Sequence, residues 1–229
     1  MLVFIKKTVI GMPDIDLKAL NAYTVSGKSQ CGDDGSLMNY LFDMDGVLVD
    51  SKEAWYRSFR EIGGVSRDEF ENRFWGRDLE KNIDELDTDR AELCGRIFPG
   101  HSSSIDKMEG VEEVLSFLSG PKALITNTTR DCTREILTRN GLEGYFDTII
   151  TSDQVEEGKP DPSMVRRALK ELDADPADSV VIGDSPHDMQ AGKEAGCITI
   201  GIGIDGDYRA ETIGELPEII MELEGSDES

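Results

Sequence analysis

From Asn39 onward the chain alternates between short apolar runs and longer stretches with helical spacing. LFDMD, KALIT, TIIT, SVVIGD and ITIGIG are short, rich in β-branched residues and bounded by turn formers. That is the signature of strands buried on both faces. Amphipathic segments lie between them. Val111, Val114, Leu115 and Leu118 make an i, i+3, i+4, i+7 stripe. Further helical patterns run over Arg130–Asn140, ended by Gly141, and over Pro162–Leu172. Another starts at Pro186 and stops before Gly196, with proline at its first position and glycine just past its last. Strand–helix alternation of this kind predicts a Rossmann-like α/β fold, a parallel sheet with helices on both faces.

One interval breaks the rhythm. About 55 residues, Ser51 to Lys107, separate the first strand from the second, where two to six are usual. The interval reads as mostly helical, over Ser51–Ile62, Asp68–Trp75 and Leu79–Ile97, and holds its own aromatic residues, Trp55, Phe59, Phe70, Phe74 and Trp75. A small α-helical cap inserted after the first strand is therefore expected. The core is then 38–50 and 108–229, and the cap 51–107. Residues 1–37 lack sustained periodicity and are expected to form a disordered extension, with Met38 as the natural first residue.

Charge narrows the partners. The chain carries 47 acidic and 24 basic residues, a net −23 at pH 7. Segment 1–37 is neutral and the cap is nearly so, with ten basic against thirteen acidic residues, so the core bears most of the negative charge. Such a surface repels nucleic-acid phosphates and anionic membranes, and neither partner is expected. No apolar run approaches the ~20 residues of a spanning helix. The acids are dispersed rather than blocked, which suits solvation in a salty, halophilic cytosol better than a single acidic docking surface. Cys31, Cys94, Cys132 and Cys197 are scattered without a CxxC pair. Reduced thiols and a cytoplasmic location are expected.

Polar residues cluster where strands end. In open parallel sheets ligands bind at the carboxyl ends of strands. Asp43 and Asp45 end the first strand, Thr126 and Asn127 the second, and Asp184 the fourth, with Asp188 one helical turn on. Lys159 lies in the loop GKPDP after the third. A lone DxD carries little information, but this joint order is hard to obtain by chance.

DMDGVLVDS, ITNTT, GKPDP and GDSPHD resemble the four sequence motifs of the haloacid dehalogenase-like superfamily. The match is closest to its phosphoglycolate phosphatase-like branch with a helical cap, over about residues 39–203. The resemblance implies a phosphatase acting on a small-molecule phosphate ester. Asp43 would attack phosphorus and form an aspartyl-phosphate, and Asp45 would serve as acid and then base. The family's dehalogenases lack that second aspartate. Thr126 and the backbone near Asn127 would hold phosphate oxygens, and Lys159 would neutralise both Asp43 and the phosphoryl group. Asp43, Asp184 and the carbonyl of Asp45 would bind Mg²⁺, with Asp188 supporting them. Converging carboxylates need a cation or protons, and oxygen ligands suit Mg²⁺. A phosphomutase of the β-phosphoglucomutase kind shares all four motifs and stands as the alternative.

Seven of the thirteen arginines fall in the cap. Most are expected to pair with nearby acids on solvated helices. Phe74–Leu79, FWGRDL, resembles the branch's substrate-specificity loop, which makes Arg77 the first candidate for meeting an anionic substrate. AYTVSGKS at 22–29 fits a loose phosphate-loop pattern, but lacks the strand before and the helix after that such a loop needs. His101 and His187 match no catalytic position.

Overall fold

The computed structural model describes residues 38–225. The expected extension at 1–37, its AYTVSGKS segment and Cys31 lie outside the described residues.

In chain order the strands are β1 (Asn39–Phe42), β2 (Val49–Asp50), β3 (Asp106–Lys107), β4 (Lys122–Thr126), β5 (Thr148–Thr151), β6 (Ser179–Gly183), β7 (Ile198–Ile202) and β8 (Tyr208–Ala210). The helices are α1 (Lys52–Gly63), α2 (Arg67–Glu69), α3 (Leu79–Glu85), α4 (Arg90–Glu92), α5 (Val111–Phe117), α6 (Arg130–Asn140), α7 (Ser163–Leu172), α8 (Pro186–Ala195) and α9 (Leu216–Gly225). Six strands form one sheet in the order β5-β4-β1-β6-β7-β8, with every neighbouring pair parallel. β1 is interior, with Leu41 opposite Ala123 on one side and Val181 on the other.

Alternation along the strands sends side chains to two layers. Tyr40, Phe42, Leu124, Val180 and Ile182 pack with Val114 and Leu115 of α5, Ile136 of α6 and Ile220 of α9. Leu41, Ala123, Ile125 and Val181 pack with Val165 and Ala168 of α7 and Ala191 of α8. Helices thus cover both faces of the Rossmann-like sheet. Each fully buried large apolar side chain contributes about 1.5–3 kcal/mol, so the twin layers fix the strand ends that carry the polar residues. Among the described residues no helix is long and apolar enough to cross a membrane.

The chain leaves the core for the cap through β2 and returns through β3. These two pair antiparallel, Val49 with Lys107 and Asp50 with Asp106. Between them the cap closes on an aromatic cluster. Trp55 stacks on Phe98 with centroids 4.1 Å apart, and Phe59 meets Phe70 edge-on at 5.5 Å and Phe74 at 5.4 Å.

The structure departs from the pattern reading in three places. The stretch expected to be helical from Leu79 to Ile97 breaks after α3: Asp87 takes the left-handed conformation and Asp89 caps α4 through the Glu92 N–H at 2.8 Å. Aspartates compete for backbone donors, so a D-T-D run ends a helix that apolar periodicity alone would extend. Phe70–Phe74 forms a wide turn in which Trp75 N–H donates to the Phe70 carbonyl at 2.9 Å, five residues back. The expectation of reduced thiols is also overturned. Cys94 and Cys132 form a disulfide, with Cα atoms 5.6 Å apart, because the cap turn Leu93–Ile97 lies against α6. Cys197 is a buried free thiol. Sequence spacing could not show this pairing, since it arises from cap–core packing across 38 residues.

Candidate active site

A cavity of about 250 Å³ opens where the cap faces the carboxyl ends of β1, β4 and β6. Its core side is lined by Asp43, Asp45, Asn127, Thr128, Lys159, Asp184 and His187, and its cap side by Trp55, Phe59, Phe70, Phe74, Trp75, Arg77, Leu79 and Asn82.

Asp43 follows β1 directly and is 8% exposed. Lys159 reaches it from the loop after β5. Its Nζ lies 2.8 Å from Asp43 Oδ1 and 2.6 Å from Asp188 Oδ1, and donates to the Ile125 carbonyl at 2.9 Å. Burial alone would lower the Lys159 pKa. The charges of Asp188 and Asp43 outweigh it and hold the ammonium above its ordinary value. Burial, and then the charge of Asp188, push the Asp43 carboxyl well above the usual carboxylate range, against the pull of Lys159.

Asp45 is gripped on both oxygens. Oδ1 accepts from Trp55 Nε1 at 3.2 Å and from the Ser51 hydroxyl, and Oδ2 accepts from Thr128 Oγ1 at 2.9 Å. Burial raises its pKa, and the three donors pull the other way. A raised carboxyl can carry a proton to a leaving group; a carboxylate with preset donors can take one back.

Asp184 lies against Gly46, which sits at φ +82°; a Cβ there would come within 2.0 Å of Asp184 Oδ2. Only glycine fits this approach. Asp188 is fully buried in the first turn of α8, where its Oδ2 accepts from the Ser185 N–H and hydroxyl in a reciprocal cap. Asp43, Asp184 and Asp188 each offer a carboxylate oxygen, and the three lie within 4.8 Å of one another. Burial, then the charge of Asp188, push Asp184 up to about 7. Three crowded carboxylates, with those of Asp43 and Asp184 raised in proton affinity, fit a hard divalent cation such as Mg²⁺.

A titration follows. An ordinary aspartate ionises near ~4. As pH climbs from there to about 7, the unfolded chain loses a proton that folded, metal-free Asp184 keeps, so folded-state stability falls over that window. Mg²⁺ competes with that proton and should raise Tm more at pH 8 than at pH 6. Thermal melts of wild type and Asp184→Asn, with and without Mg²⁺, measure it. An equal Mg²⁺ shift at both pH values, or in both proteins, would refute the assignment.

Of the other sequence-marked residues, Thr126 is fully buried and does not line the cavity; its Oγ1 accepts the Thr128 N–H at 3.1 Å. Asn127 brackets cap to core. Its Nδ2 donates to the carbonyls of Gly76 at 3.1 Å and Lys159 at 2.9 Å, and its Oδ1 accepts the Lys159 N–H at 2.8 Å. Arg77 borders the cavity with Nη1 donating to Glu85 at 3.0 Å and to the Arg73 carbonyl at 2.8 Å. Sequence reading missed Ser51, Trp55 and Thr128 as partners of Asp45. It also missed Asp78, whose Oδ2 accepts the Gly158 N–H at 3.1 Å beside Lys159. Thr128 lay in the ITNTT motif and could have been found there, whereas nothing local marks Trp55.

The sequence matches the family model described as haloacid dehalogenase-like hydrolase over residues 40–202. It is 30% identical over 175 residues to the pyrophosphatase PpaX of Bacillus velezensis, covering 71% of this chain and 81% of that protein. It is likewise 30% identical over 200 residues to the validoxylamine A 7'-phosphate phosphatase of Streptomyces hygroscopicus subsp. limoneus, covering 80% and 92%. The fold superposes on CbbY from Rhodobacter sphaeroides, solved in complex with phosphate, with a TM-score of 0.68 at 22% identity, over 79% of this chain and 96% of that one. With the sequence model, the sheet order and the acidic strand ends in agreement, the chain belongs to the haloacid dehalogenase-like hydrolases.

Proposed function

We propose that this hydrolase cleaves a small phosphate monoester through an aspartyl-phosphate on Asp43, with Mg²⁺ as cofactor. The observation that carries the reading is the placement of Lys159 Nζ between Asp43 and Asp188, at 2.8 and 2.6 Å, beside a second aspartate held by three donors. The names of the relatives, a pyrophosphatase and a validoxylamine A 7'-phosphate phosphatase, support hydrolysis of a phosphoryl group.

An Asp43 carboxylate oxygen bonds to phosphorus as the bond to the leaving oxygen breaks. The Asp45 carboxyl gives that oxygen its proton. Asp45, now a carboxylate, takes a proton from water as the water oxygen bonds to phosphorus. The acyl-phosphate bond breaks, inorganic phosphate departs, and the Asp43 carboxylate is restored. Lys159 offsets charge on Asp43 and the phosphoryl oxygens throughout. Asn127, Thr128 and the N–H groups opening α6 surround the phosphoryl position in this reading, with the Thr126 hydroxyl holding the Thr128 N–H behind them. Asp43, Asp184, Asp188 and the Asp45 carbonyl would hold Mg²⁺, which supplies the positive charge that lets an anionic ester approach an anionic nucleophile.

The test is a phosphate-release screen over sugar phosphates, phosphoglycolate, nucleotides and pyrophosphate, in Mg²⁺ at low and high KCl. Release that stops on chelation is expected, faster at high KCl if the acidic surface is a salt adaptation. Phosphoryl transfer between sugar positions without release would favour the mutase instead. Arg77 is proposed to meet the substrate at the cap. Arg77→Ala should raise KM several-fold with kcat nearly unchanged, and an equal rise for a neutral-bodied ester and one bearing a second anionic group would remove it from substrate recognition.

A further inference from the structure

Asp78 stands in the cap at the start of α3, is buried, and does not line the active-site cavity. Its two carboxylate oxygens have different partners. Oδ1 accepts the Glu80 N–H at 2.9 Å and caps α3, whereas Oδ2 accepts the Gly158 N–H of the core at 3.1 Å. Capping needs only the first oxygen. In the same cap the Ser66 hydroxyl serves α2 by accepting the Glu69 N–H at 3.2 Å, and serine caps about as well as aspartate. Helix α3 therefore does not account for the second oxygen.

Its partner immediately precedes Lys159. A Cβ on Gly158 would come within 2.5 Å of Asp78 Oδ2 and 2.6 Å of Asn127 Oδ1, so the loop threads between a cap oxygen and a core oxygen. Asn127 then holds Lys159 itself, accepting its N–H at 2.8 Å and donating to its carbonyl at 2.9 Å. The same asparagine is bonded to the cap, through the Leu79 N–H at 2.9 Å and the Gly76 carbonyl at 3.1 Å. Three cap–core hydrogen bonds thus meet at the main chain from which the Lys159 side chain leaves. Lys81 and Glu157 also join cap to this loop, but both are about half exposed and such pairs contribute little. The bond to Gly158 is buried, and breaking it leaves a donor without a partner.

We infer that Asp78 is a positioning residue: by holding the Gly158 N–H it sets Lys159 in place when the cap is down. The inference rests on the phosphatase reading above and adds a route by which the cap acts on the reaction without touching substrate. Lys159 Nζ lies 2.8 Å from Asp43 and 2.6 Å from Asp188, and it must meet the phosphoryl oxygens from there. Small displacements of such a group are costly to the rate.

The decisive variant is Asp78→Ser, which keeps an oxygen for α3 and loses the one for Gly158. The probes are acetyl phosphate, whose leaving group is small, and 4-nitrophenyl phosphate, whose ring extends toward the cap, both in Mg²⁺. Asp78→Ser should lower kcat by about tenfold on both, with KM within about twofold of wild type. Asp78→Ala loses the helix cap as well, so it should melt about 2–4 °C below Asp78→Ser yet turn over no more slowly. Gly158→Ala pushes the same oxygens apart from the core side and should lower kcat at least as far. A kcat within about twofold of wild type in Asp78→Ser or in Gly158→Ala overturns the inference. So does a several-fold rise in KM with kcat kept, or a loss on 4-nitrophenyl phosphate alone, either of which assigns Asp78 to binding the substrate body. A kcat that falls from serine to alanine in step with Tm also overturns it, since Asp78 would then serve only the fold. These outcomes leave the phosphatase reading standing, whereas release from neither ester by wild type overturns both.

Discussion

Lys159→Met should unfold far more easily than wild type, with Tm lower by about 6–20 °C at pH 8. The Lys159 side chain is 2% exposed and stands between two buried carboxylates. Methionine keeps most of its volume and removes its charge. Stripping one partner from a buried ion pair costs about 3–5 kcal/mol, because the other charges stay buried and unpaired. For a chain of this size each kcal/mol is about 2–4 °C, and the whole stability is only about 5–15 kcal/mol. The deficit should shrink as pH falls. Without the ammonium, the already raised Asp43 carboxyl moves higher still, and a group raised in the folded state contributes stability at low pH that is lost as pH climbs through its folded value. Mg²⁺ should recover part of the loss, so its Tm increment should be larger in the variant than in wild type. Melts at pH 5.5 and 8, with and without Mg²⁺, read all three effects. A variant as stable as wild type at pH 8 would show that the ammonium does not compensate the carboxylates.

The sequence exposed the skeleton of this site because strand ends are legible. β1, β4 and β6 carry the short apolar runs Tyr40–Phe42, Ala123–Ile125 and Val180–Ile182, so the polar residues at their carboxyl ends, Asp43, Thr126 with Asn127, and Asp184, must fall on one rim of a parallel sheet. What lay beyond one residue from a strand was harder to place. After β4 the strand alternation stops, and the hydroxyl that turns to Asp45 is that of Thr128, while Thr126 turns its own to the Thr128 N–H. Ser51 read as the first residue of a helix in the cap, yet it precedes α1 and its hydroxyl goes to Asp45, and Trp55 read as cap core, yet its ring nitrogen does the same. Each residue serves two layers at once, and periodicity reports only one. β8 is three residues long, too short for any pattern, and gains its place by pairing with β7 in the register Ile200 to Tyr208. The Cys94–Cys132 pair and the bracket through Asn127 belong to the docking of cap on core, which local sequence does not encode.

Asp43→Asn should lower kcat/KM by about four orders of magnitude or more while leaving the fold at least as stable. The carboxamide has nearly the same shape, so the cavity and the Lys159–Asp188 pair at 2.6 Å remain. It is not a nucleophile, and it removes one of three carboxylates whose oxygens crowd within 4.8 Å. Because burial and the Asp188 charge already push the Asp43 carboxyl upward, a neutral isostere relieves repulsion in the metal-free protein, and Tm should hold or rise. Falling activity with undiminished stability is what a residue kept for chemistry produces; a packing residue would lose both. Acid-quenched wild type should carry a phosphoryl group that hydroxylamine releases, and Asp43→Asn should carry none. A fall of only about tenfold, far below the loss of an essential nucleophile, would mean that water attacks the ester directly. Asp43 would then be a metal ligand alone, Asp45 the base for that water, and the covalent route would be wrong even though the family and the fold stand.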